Sequence, residues 1–236
     1  MRKVMVWWMK LGSATGAAIA GWQACLDSAE LLQADRFYFV EDRSAYIAAH
    51  WLVRSALSSI CGVPAKDWRF TEEPGKPKIA QILNQPELQF SLSHTRGLVA
   101  CAVSAGSIVG IDVENFSEIS DVIDIAEQFF STSEVEILRN ATPDQQSSAF
   151  IRLWTLKEAF VKATGEGLHR AFDSFSFTLD PVSIAFDPDS ADEPSHWTFV
   201  EHRPTLESQL AVAIRHPAGW PVSFTVYQLP RDAAIV

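Results

Sequence analysis

Two carboxylates on one short apolar segment are the first residues in this sequence whose types and spacing suggest chemistry. The segment Gly110–Glu114 reads Gly-Ile-Asp-Val-Glu, and side chains alternate between the two faces of a strand. Asp112 and Glu114 therefore share one face, where both can reach a single hard cation that prefers oxygen ligands. A half-exposed strand with a solvated acidic face has the same pattern, so both interpretations stay open.

A second candidate group lies at helical spacing further along the chain. Trp154, Glu158 and Lys162 are each four residues apart, which places them in one stripe on a helix. A carboxylate beside bulky apolar side chains is typical of a cleft wall, where its pKa rises or a cation keeps it ionised. Lys162 then pairs with Glu158 or faces a phosphate. A surface salt bridge is the alternative interpretation.

Two shorter polar segments are candidates for contacts with an anion. Ser93 and His94 are adjacent at the end of a short strand, and adjacent strand residues point to opposite faces, which argues against a serine–histidine nucleophile. Lys76 lies between a glycine, which permits close approach, and a proline, which stiffens the backbone. The alternatives are a polar strand end for the first segment and an exposed basic turn for the second.

The surrounding sequence predicts the elements that must position these residues. Two long helices are expected, at residues 41–59 and 147–164, and shorter helices at residues 28–32, 119–130 and 134–139. Strands are expected at residues 4–9, 90–93, 98–104, 108–114, 175–179, 197–200, 209–215 and 222–229. Residues 11–27 are expected to be loop-like, and residues 104–107 to form a hairpin turn. This order predicts an α+β fold, without regular β-α-β alternation.

Composition and charge exclude several classes of protein. The 236 residues are 47% hydrophobic and 20% charged, as in globular enzymes, and the net charge of −10 disfavours nucleic-acid binding. No apolar run reaches the ~20 residues that span a bilayer. The run at residues 4–9 loosely resembles a secretion signal, but Lys10 interrupts it, so a first strand is expected. Cys25, Cys61 and Cys101 are too dispersed for a zinc motif and favour a reducing, cytoplasmic compartment.

Taken in order, the four polar segments resemble the motifs of the long, Sfp-type class of 4′-phosphopantetheinyl transferases. The matching segments, which span most of the chain, are Gly75–Pro77, Ser93-His94, Gly110–Glu114 and Trp154–Lys162. The resemblance implies transfer of the 4′-phosphopantetheine arm of coenzyme A to a serine of an apo carrier protein (acyl, peptidyl or aryl). Adenosine 3′,5′-bisphosphate would be released.

The resemblance also implies an architecture. Two similar α+β halves, related by a pseudo-two-fold axis, would each pack a small, mainly antiparallel sheet on helices, with coenzyme A between them. We place the N-terminal half at residues 1–106 and the C-terminal half, which carries the metal and transfer motifs, at residues 107–236. A faint repeat agrees with this, because the small apolar strands that begin near Gly97 and Gln209 are similar. A monomer is expected.

The resemblance assigns roles to individual residues. Asp112, Glu114 and Glu158 would bind Mg²⁺, and Glu158 and Lys162 would be catalytic, Glu158 by accepting the proton of the carrier serine and Lys162 by neutralising the pyrophosphate. The expected contacts of coenzyme A are Arg43, Lys76, Ser93, His94 and Lys162. Lys157 and Trp154 would support and pack this site.

The sequence departs from the family pattern at three places that contact the 3′-phosphate in relatives. Glu30 and Gln33 stand where some relatives carry lysines, and Tyr46 stands at the place of a threonine, so Arg43 or Arg36 is expected to supply the missing charge. The apolar residues Ile123, Phe129 and Phe130 are candidates for carrier contact, with packing inside the second half as the alternative.

Two other functions use the same residues. A metal-dependent hydrolase acting on a phosphorylated nucleotide would use water as the acceptor in place of a carrier. A non-catalytic module that binds coenzyme A or carrier proteins is the other alternative. The complete set of three carboxylates argues against that binding module, because a degenerate binder would be expected to have lost a ligand.

Overall fold

The computed structural model describes residues 2–12, 15–71, 78–81, 88–117, 119–167, 170–188 and 190–230. Within these ranges the helices are α1 (Gly16–Gln23), α2 (Ser28–Ala34), α3 (Val40–Cys61), α4 (Val122–Phe129), α5 (Thr132–Asn140) and α6 (Pro143–Thr164). The strands are β1 (Arg2–Lys10), β2 (Arg69–Thr71), β3 (Lys78–Gln81), β4 (Leu88–Thr95), β5 (Leu98–Ser104), β6 (Ile108–Asn115), β7 (Phe175–Leu179), β8 (Val182–Phe186), β9 (Trp197–Thr205), β10 (Ser208–Arg215) and β11 (Val222–Gln228).

The strands form small sheets that pack on helices, which confirms the expected α+β class. A six-stranded sheet has the order β11-β1-β5-β4-β3-β2, a three-stranded sheet has the order β6-β10-β9, and β7 pairs with β8. Within the described ranges, every strand pairing is antiparallel except the one between β1 and β11. The strand β11, near the end of the chain, thereby extends the sheet that begins with β1.

Apolar side chains divide into three cores that follow from these layers. One core packs α1 and α3 on the first sheet, and a second packs α6 on the sheet of β6, β10 and β9. The third lies between the two sheets and contains alternate residues of β1, β5, β6 and β10, such as Val6, Ala100, Ile111 and Val212. Because alternate residues of β6 enter this third core, the residues between them face α6.

Several local expectations are wrong, each for a physical reason. The turn at residues 104–107 is not a hairpin, because β5 pairs with β1 and β4 whereas β6 pairs with β10. Residues 16–23, expected to be loop-like, form α1, which Thr15 caps by accepting from Ala18 N–H and which buries Trp22. The helix expected at residues 147–164 begins earlier, because Pro143 is the first residue of α6, where its missing N–H leaves no helical hydrogen bond unmade.

The apolar residues considered for carrier contact have different environments. Phe130 is buried and stacks on Phe150 with ring centroids 5.1 Å apart, so it belongs to the second core. Ile123 is partly buried against the same core. Phe129 is 48% exposed, and of the three it alone presents a large apolar area to solvent.

In the described residues, no helix is both long and apolar enough to cross a membrane. All three cysteines are free thiols, and Cys25 and Cys101 are buried. Burial raises the pKa of the Cys25 thiol to about 11, so this thiol stays protonated and unreactive near neutral pH.

Candidate functional site

The strand β6 places its two carboxylates on the face toward α6. Ile111 and Val113 are fully buried between the two sheets, which directs Asp112 and Glu114 to the opposite face. Opposite them on β10 lie Ala211, beside Asp112, and Gln209, beside Glu114. Asp112 is 3% exposed, so its carboxylate is held in the interior and needs compensation from nearby groups.

The helix α6 carries the other two charged groups of the site. Glu158 and Lys162 are one turn apart and half-buried. The helix packs directly on β6 at Gly110, where an added Cβ would overlap the carbonyl oxygen of Ala159 and the amide nitrogen of Ala163. Only glycine permits this backbone approach, and the approach brings the charged face of α6 over Asp112.

A hydrogen-bonded network joins Asp112 to the helix and to the first sheet. Lys162 Nζ lies 2.6 Å from Asp112 Oδ1, and Ser93 Oγ donates to the same oxygen at 2.8 Å. Lys162 Nζ also donates to Ser93 Oγ at 3.1 Å. The other carboxylate oxygen of Asp112, Oδ2, is buried and has no hydrogen-bond partner among the residues that the structure describes. A buried carboxylate oxygen without a partner is costly, which points to a ligand that Oδ2 would contact.

Ser93 is therefore hydrogen-bonded to the carboxylate of Asp112. Its hydroxyl donates to Asp112 and accepts from Lys162, and this agrees with the expectation that Ser93 and His94 are not a nucleophile and its base. Thr95, which the sequence patterns did not single out, donates from Oγ1 to Glu114 Oε2 at 3.1 Å. Thr95 lies two residues after Ser93 and therefore on the same face of the strand, and this spacing is the sequence feature that could have identified it.

Burial and crowding alter the acidity of the site. Burial raises the pKa of Glu114 to about 7, and the neighbouring Asp112 carboxylate adds to this effect. Burial also raises the pKa of Glu158, against the opposing effect of the Lys162 ammonium. The pKa of His94 is lowered by burial and by Lys162. A cation bound near Glu114 and Glu158 would lower these raised pKa values, because it would stabilise the ionised carboxylates.

These side chains line one cavity of about 350 Å³, together with Leu92. The lining residues are Ser93, His94, Asp112, Glu114, Trp154, Glu158 and Lys162. The sequence-predicted metal and transfer residues are thus brought together. Among the described residues, however, no three His, Cys, Asp or Glu side chains are already arranged to hold one metal ion.

A larger cavity of about 760 Å³ shares the lining residue His94 with the first. Its apolar lining residues include Ile19, Trp22 and Ala45, whereas its charged lining residues are Glu41, Asp42 and Arg96. None of the sequence motifs includes Arg96, which lies in the tight turn between β4 and β5, directly after Thr95. The two cavities together can take a long ligand that carries a polar and an apolar part.

The other residues assigned from the resemblance lie apart from these cavities or outside the described ranges. Lys76 lies outside the described residues. Arg43, on α3, forms an ion pair with Asp35 at 2.6 Å and is not among the residues lining the larger cavity. Arg36 donates to Gln33 Oε1 at 3.1 Å.

Glu30 and Tyr46, the other two positions that depart from the family pattern, each contact a side chain of α3. Glu30 is buried in an ion pair with Arg54 at 2.7 Å. The ring of Tyr46 packs on that of His50, with centroids 4.2 Å apart. Glu30 is therefore part of the interior of the first half and does not line either cavity.

Comparisons with known proteins point to one family. The model of the 4′-phosphopantetheinyl transferase superfamily matches residues 108–215, and a model for the N-terminal region of 4′-phosphopantetheinyl transferases matches residues 13–106. The 4′-phosphopantetheinyl transferase HetI of Nostoc sp. (strain PCC 7120) is 35% identical over 205 residues, which cover 86% of this chain and 84% of that protein. The 4′-phosphopantetheinyl transferase Sfp of Bacillus subtilis (strain 168) is 38% identical over 186 residues, covering 77% and 79%.

More distant likenesses were also found. The rat L-aminoadipate-semialdehyde dehydrogenase-phosphopantetheinyl transferase is 28% identical over 201 residues, covering 78% of this chain and 65% of that protein. The solved structure of Thermotoga maritima holo-[acyl-carrier-protein] synthase superposes with a TM-score of 0.37 at 19% identity, covering 45% of this chain and 61% of that one. That structural likeness is too weak to bear on function.

Proposed function

Since this chain belongs to the 4′-phosphopantetheinyl transferase family, we propose that it transfers the 4′-phosphopantetheine arm of coenzyme A to a serine of an apo carrier protein at the cavity between β6 and α6. The observation that carries this is Oδ2 of Asp112, which is buried and has no partner within the described part of the chain, in a cavity that Glu114, Glu158 and Lys162 also line. A pyrophosphate needs a positively charged side chain, and its metal counter-ion needs carboxylate ligands, and this cavity provides both.

Members of this family generally depend on a divalent metal, and we propose Mg²⁺ held by Asp112, Glu114 and Glu158. Carboxylate oxygens are the ligands that Mg²⁺ prefers, the three residues line one cavity, and no described residue is a hydrogen-bond partner of Asp112 Oδ2. The side chains of Glu114 and Glu158 would have to rotate toward Asp112, because the three are not yet arranged as one group. When bound, the metal would stabilise negative charge developing on the phosphate oxygens.

The protein's own residues would do the remaining work. Lys162, whose ammonium already lies beside Asp112 and Ser93, would neutralise the pyrophosphate of coenzyme A. Ser93 and His94 would contact phosphate oxygens, since both line the cavity and His94 connects it with the larger one. In this arrangement the nucleotide end of coenzyme A occupies the larger cavity and the β-phosphate faces Glu158.

The transfer step needs one proton acceptor. The carrier serine oxygen forms a bond to the β-phosphorus, the bond from that phosphorus to the oxygen bridging the two phosphates breaks, and adenosine 3′,5′-bisphosphate leaves. The serine proton passes to Glu158, directly or through water. The raised pKa of Glu158, due mainly to burial, brings its basicity closer to the neutral range that suits such a transfer.

We expect Arg96→Ala to raise the KM for coenzyme A about tenfold and to change kcat less than about twofold, because a ground-state contact to phosphate is lost. Arg96 is a cation lining the larger cavity, and its backbone carbonyl, which accepts from the Asn115 side chain, remains in the variant. Steady-state kinetics with coenzyme A as the varied substrate measure this. Arg139→Ala, which removes an exposed arginine from α5, is the matched control, and an equal KM for both variants would contradict the assignment.

Lys76 and Arg43 also belong to the proposed set of coenzyme A contacts. Lys76 lies outside the described residues, so its assignment rests on the sequence motif. The Arg43 side chain is 43% exposed and would have to exchange Asp35 for a phosphate. Both alanine variants belong in the same kinetic series as Arg96→Ala, since each is expected to alter KM more than kcat.

We further propose a cytoplasmic monomer with a boundary between residues 106 and 107. The boundary is supported by the ranges of the two family models, which end and begin at residues 106 and 108. It is also supported by the matching strand orders β1-β5-β4 and β6-β10-β9 in the two sheets. Free thiols at all three cysteines are consistent with a reducing compartment.

The decisive experiment is intact mass spectrometry of apo carrier proteins after incubation with this protein, coenzyme A and Mg²⁺. A mass gain of one phosphopantetheine, abolished by EDTA, is expected for at least one member of a panel of acyl, peptidyl and aryl carriers. Adenosine 3′,5′-bisphosphate released without any carrier would favour a hydrolase. No gain on any carrier, from folded protein that binds coenzyme A, would favour a non-catalytic binding module.

A further inference from the structure

Two buried ion pairs in this protein are built in the same way, one in each half of the chain. Each contains a glutamate that is the third residue of a short helix, Glu30 of α2 and Glu134 of α5. Each glutamate accepts the backbone N–H of its N-cap residue, at 2.8 Å for Glu30 and 3.0 Å for Glu134. Each then pairs with a cation on the following 22-residue helix, Arg54 of α3 or Lys157 of α6.

The two cations are also anchored alike. The Arg54 guanidinium donates to the carbonyls of Ala65 and Trp68, and the Lys157 ammonium donates to the carbonyls of Phe172 and Phe175. Each cation lies over an aromatic ring just beyond its helix, Phe70 at 4.5 Å and Phe175 at 4.3 Å. Both cationic side chains are fully buried. The repeated construction indicates that each pair fixes its long helix to the segment that follows.

The pair in the second half acts on the helix that carries the transfer residues. Lys157 directly precedes Glu158, and its ammonium contacts three acceptors: Glu134 Oε2 at 2.8 Å and the carbonyls of Phe172 and Phe175 at 2.6 and 2.8 Å. Glu134 also accepts the backbone N–H of Phe177 in β7 at 2.8 Å. Because these contacts tie α6 to α5 and β7, they restrict rotation of α6 about its axis.

A second contact restricts α6 from another side. The helix backbone at Ala159 and Ala163 lies against Gly110 of β6. Gly110 sets the distance between the helix and the strand, and Lys157 limits the rotation of the helix. Together these contacts allow Glu158 and Lys162 one arrangement relative to Asp112 and Glu114.

We propose that Glu134 and Lys157 form a positioning pair, which holds Glu158 and Lys162 of α6 in register with Asp112 and Glu114 of β6. This inference rests on the proposed transferase function of that site. Neither residue of the pair lines the cavity, so both act through the residues they hold.

Stability alone does not account for such a pair. Removing one partner of a buried ion pair leaves an uncompensated charge, but replacing both partners by uncharged residues of similar volume is often neutral or stabilising. A packed apolar contact would therefore hold the fold equally well. It would not supply the directional bonds of one ammonium to three fixed acceptors, which define the orientation of the helix.

The test is the double variant Lys157→Met with Glu134→Gln, in which no unpaired charge is left. We expect a cooperatively folded protein whose kcat, per folded molecule, falls about 10²-fold, because displacements near 1 Å at a reacting centre have effects of this size. The KM for coenzyme A should change less than about threefold. The affinity for Mn²⁺ in the presence of coenzyme A, measured by electron paramagnetic resonance, should fall about tenfold, as when groups that orient metal ligands are removed.

The matched control is the equivalent pair of the first half, Arg54→Met with Glu30→Gln. It removes a pair of the same construction, and we expect its kcat per folded molecule and its Mn²⁺ affinity to stay within about twofold of the parent. If the Lys157 and Glu134 double variant folds and keeps both quantities within twofold, the pair has only a structural role. If both double variants lose kcat and Mn²⁺ affinity equally, the effect is general and the positioning role is likewise overturned.

The parent protein separates failure of this inference from failure of the proposed function. Transfer by the parent is measured first in the same assay, and its absence would contradict the proposed function. The Mn²⁺ measurement does not depend on transfer, so it tests the positioning pair in either case.

Discussion

Glu158→Gln is expected to reduce kcat for phosphopantetheine transfer by on the order of 10³-fold while the protein stays folded. The substitution removes a proposed metal ligand and the proposed proton acceptor together, and each contribution alone is typically worth a factor of 10² or more. Glu158 lines the cavity beside Asp112 and Lys162. Single-turnover transfer to a carrier protein, followed by intact mass, measures the loss.

The same substitution should not lower stability. Burial raises the pKa of Glu158, so the ionised carboxylate is disfavoured in the folded state. A raised pKa means that this group's contribution to stability falls as pH rises from its ordinary value toward the folded one. Near pH 7 the neutral amide removes that cost, and the melting temperature should be unchanged or higher.

Glu136→Gln provides the control for charge alone. Glu136 is exposed on α5, so its loss changes net charge by the same amount without touching the cavity. We expect its kcat to stay within about twofold of the parent. Near-normal turnover of Glu158→Gln would show that Glu158 is neither an essential metal ligand nor the proton acceptor.

The members of the candidate site could be predicted from sequence where local periodicity determines direction. Alternation along a strand puts Asp112 and Glu114 on one face, and helical spacing puts Glu158 and Lys162 on another, whatever the rest of the fold does. What periodicity cannot state is that the two faces meet. Whether they meet depends on the direct contact between Gly110 and the α6 backbone. The two segments are far apart in the sequence, so no local sequence pattern indicates this contact.

The residues that sequence reasoning missed depend on such long-range contacts. Thr95 belongs to the site because β4 of the first sheet packs against β6 of the second. Arg96 belongs to it because the β4–β5 turn lines the larger cavity. Glu30 has the residue type of a surface helix cap, yet its partner Arg54 lies 24 residues further on, so its burial could not be inferred from neighbours.

The same reason explains the incorrect hairpin. A turn sequence shows that the chain reverses, but not which strands become neighbours. Here β5 is fully buried between β1 and β4. The next strand, β6, therefore starts a different sheet, and the third core forms between the two sheets. Strand pairing was decided by apolar faces that must be covered on both sides, which is a property of the whole chain.

Gly110→Ala is expected to damage both the fold and the reaction, and it tests how the two faces of the site are joined. The added methyl group would overlap backbone atoms of Ala159 and Ala163, and backbone of a packed helix cannot rotate away as a side chain can. Overpacking of this kind typically costs about 1–3 kcal/mol, and more where backbone must move. Urea denaturation should show a lower midpoint with an unchanged slope.

The reaction should suffer more than the loss of folded protein explains. To accommodate the methyl group, α6 must move away from β6, which separates Glu158 and Lys162 from Asp112. A displacement near 1 Å is expected to lower kcat about 10²-fold even at temperatures where the variant is fully folded. Gly21→Ala is the control, because an added Cβ there meets no atom of the described residues within 4 Å and replacing a helical glycine by alanine should stabilise the fold by about 0.5–1 kcal/mol. Full activity in a folded Gly110→Ala protein would mean that the carboxylates and the lysine do not depend on this contact for their alignment.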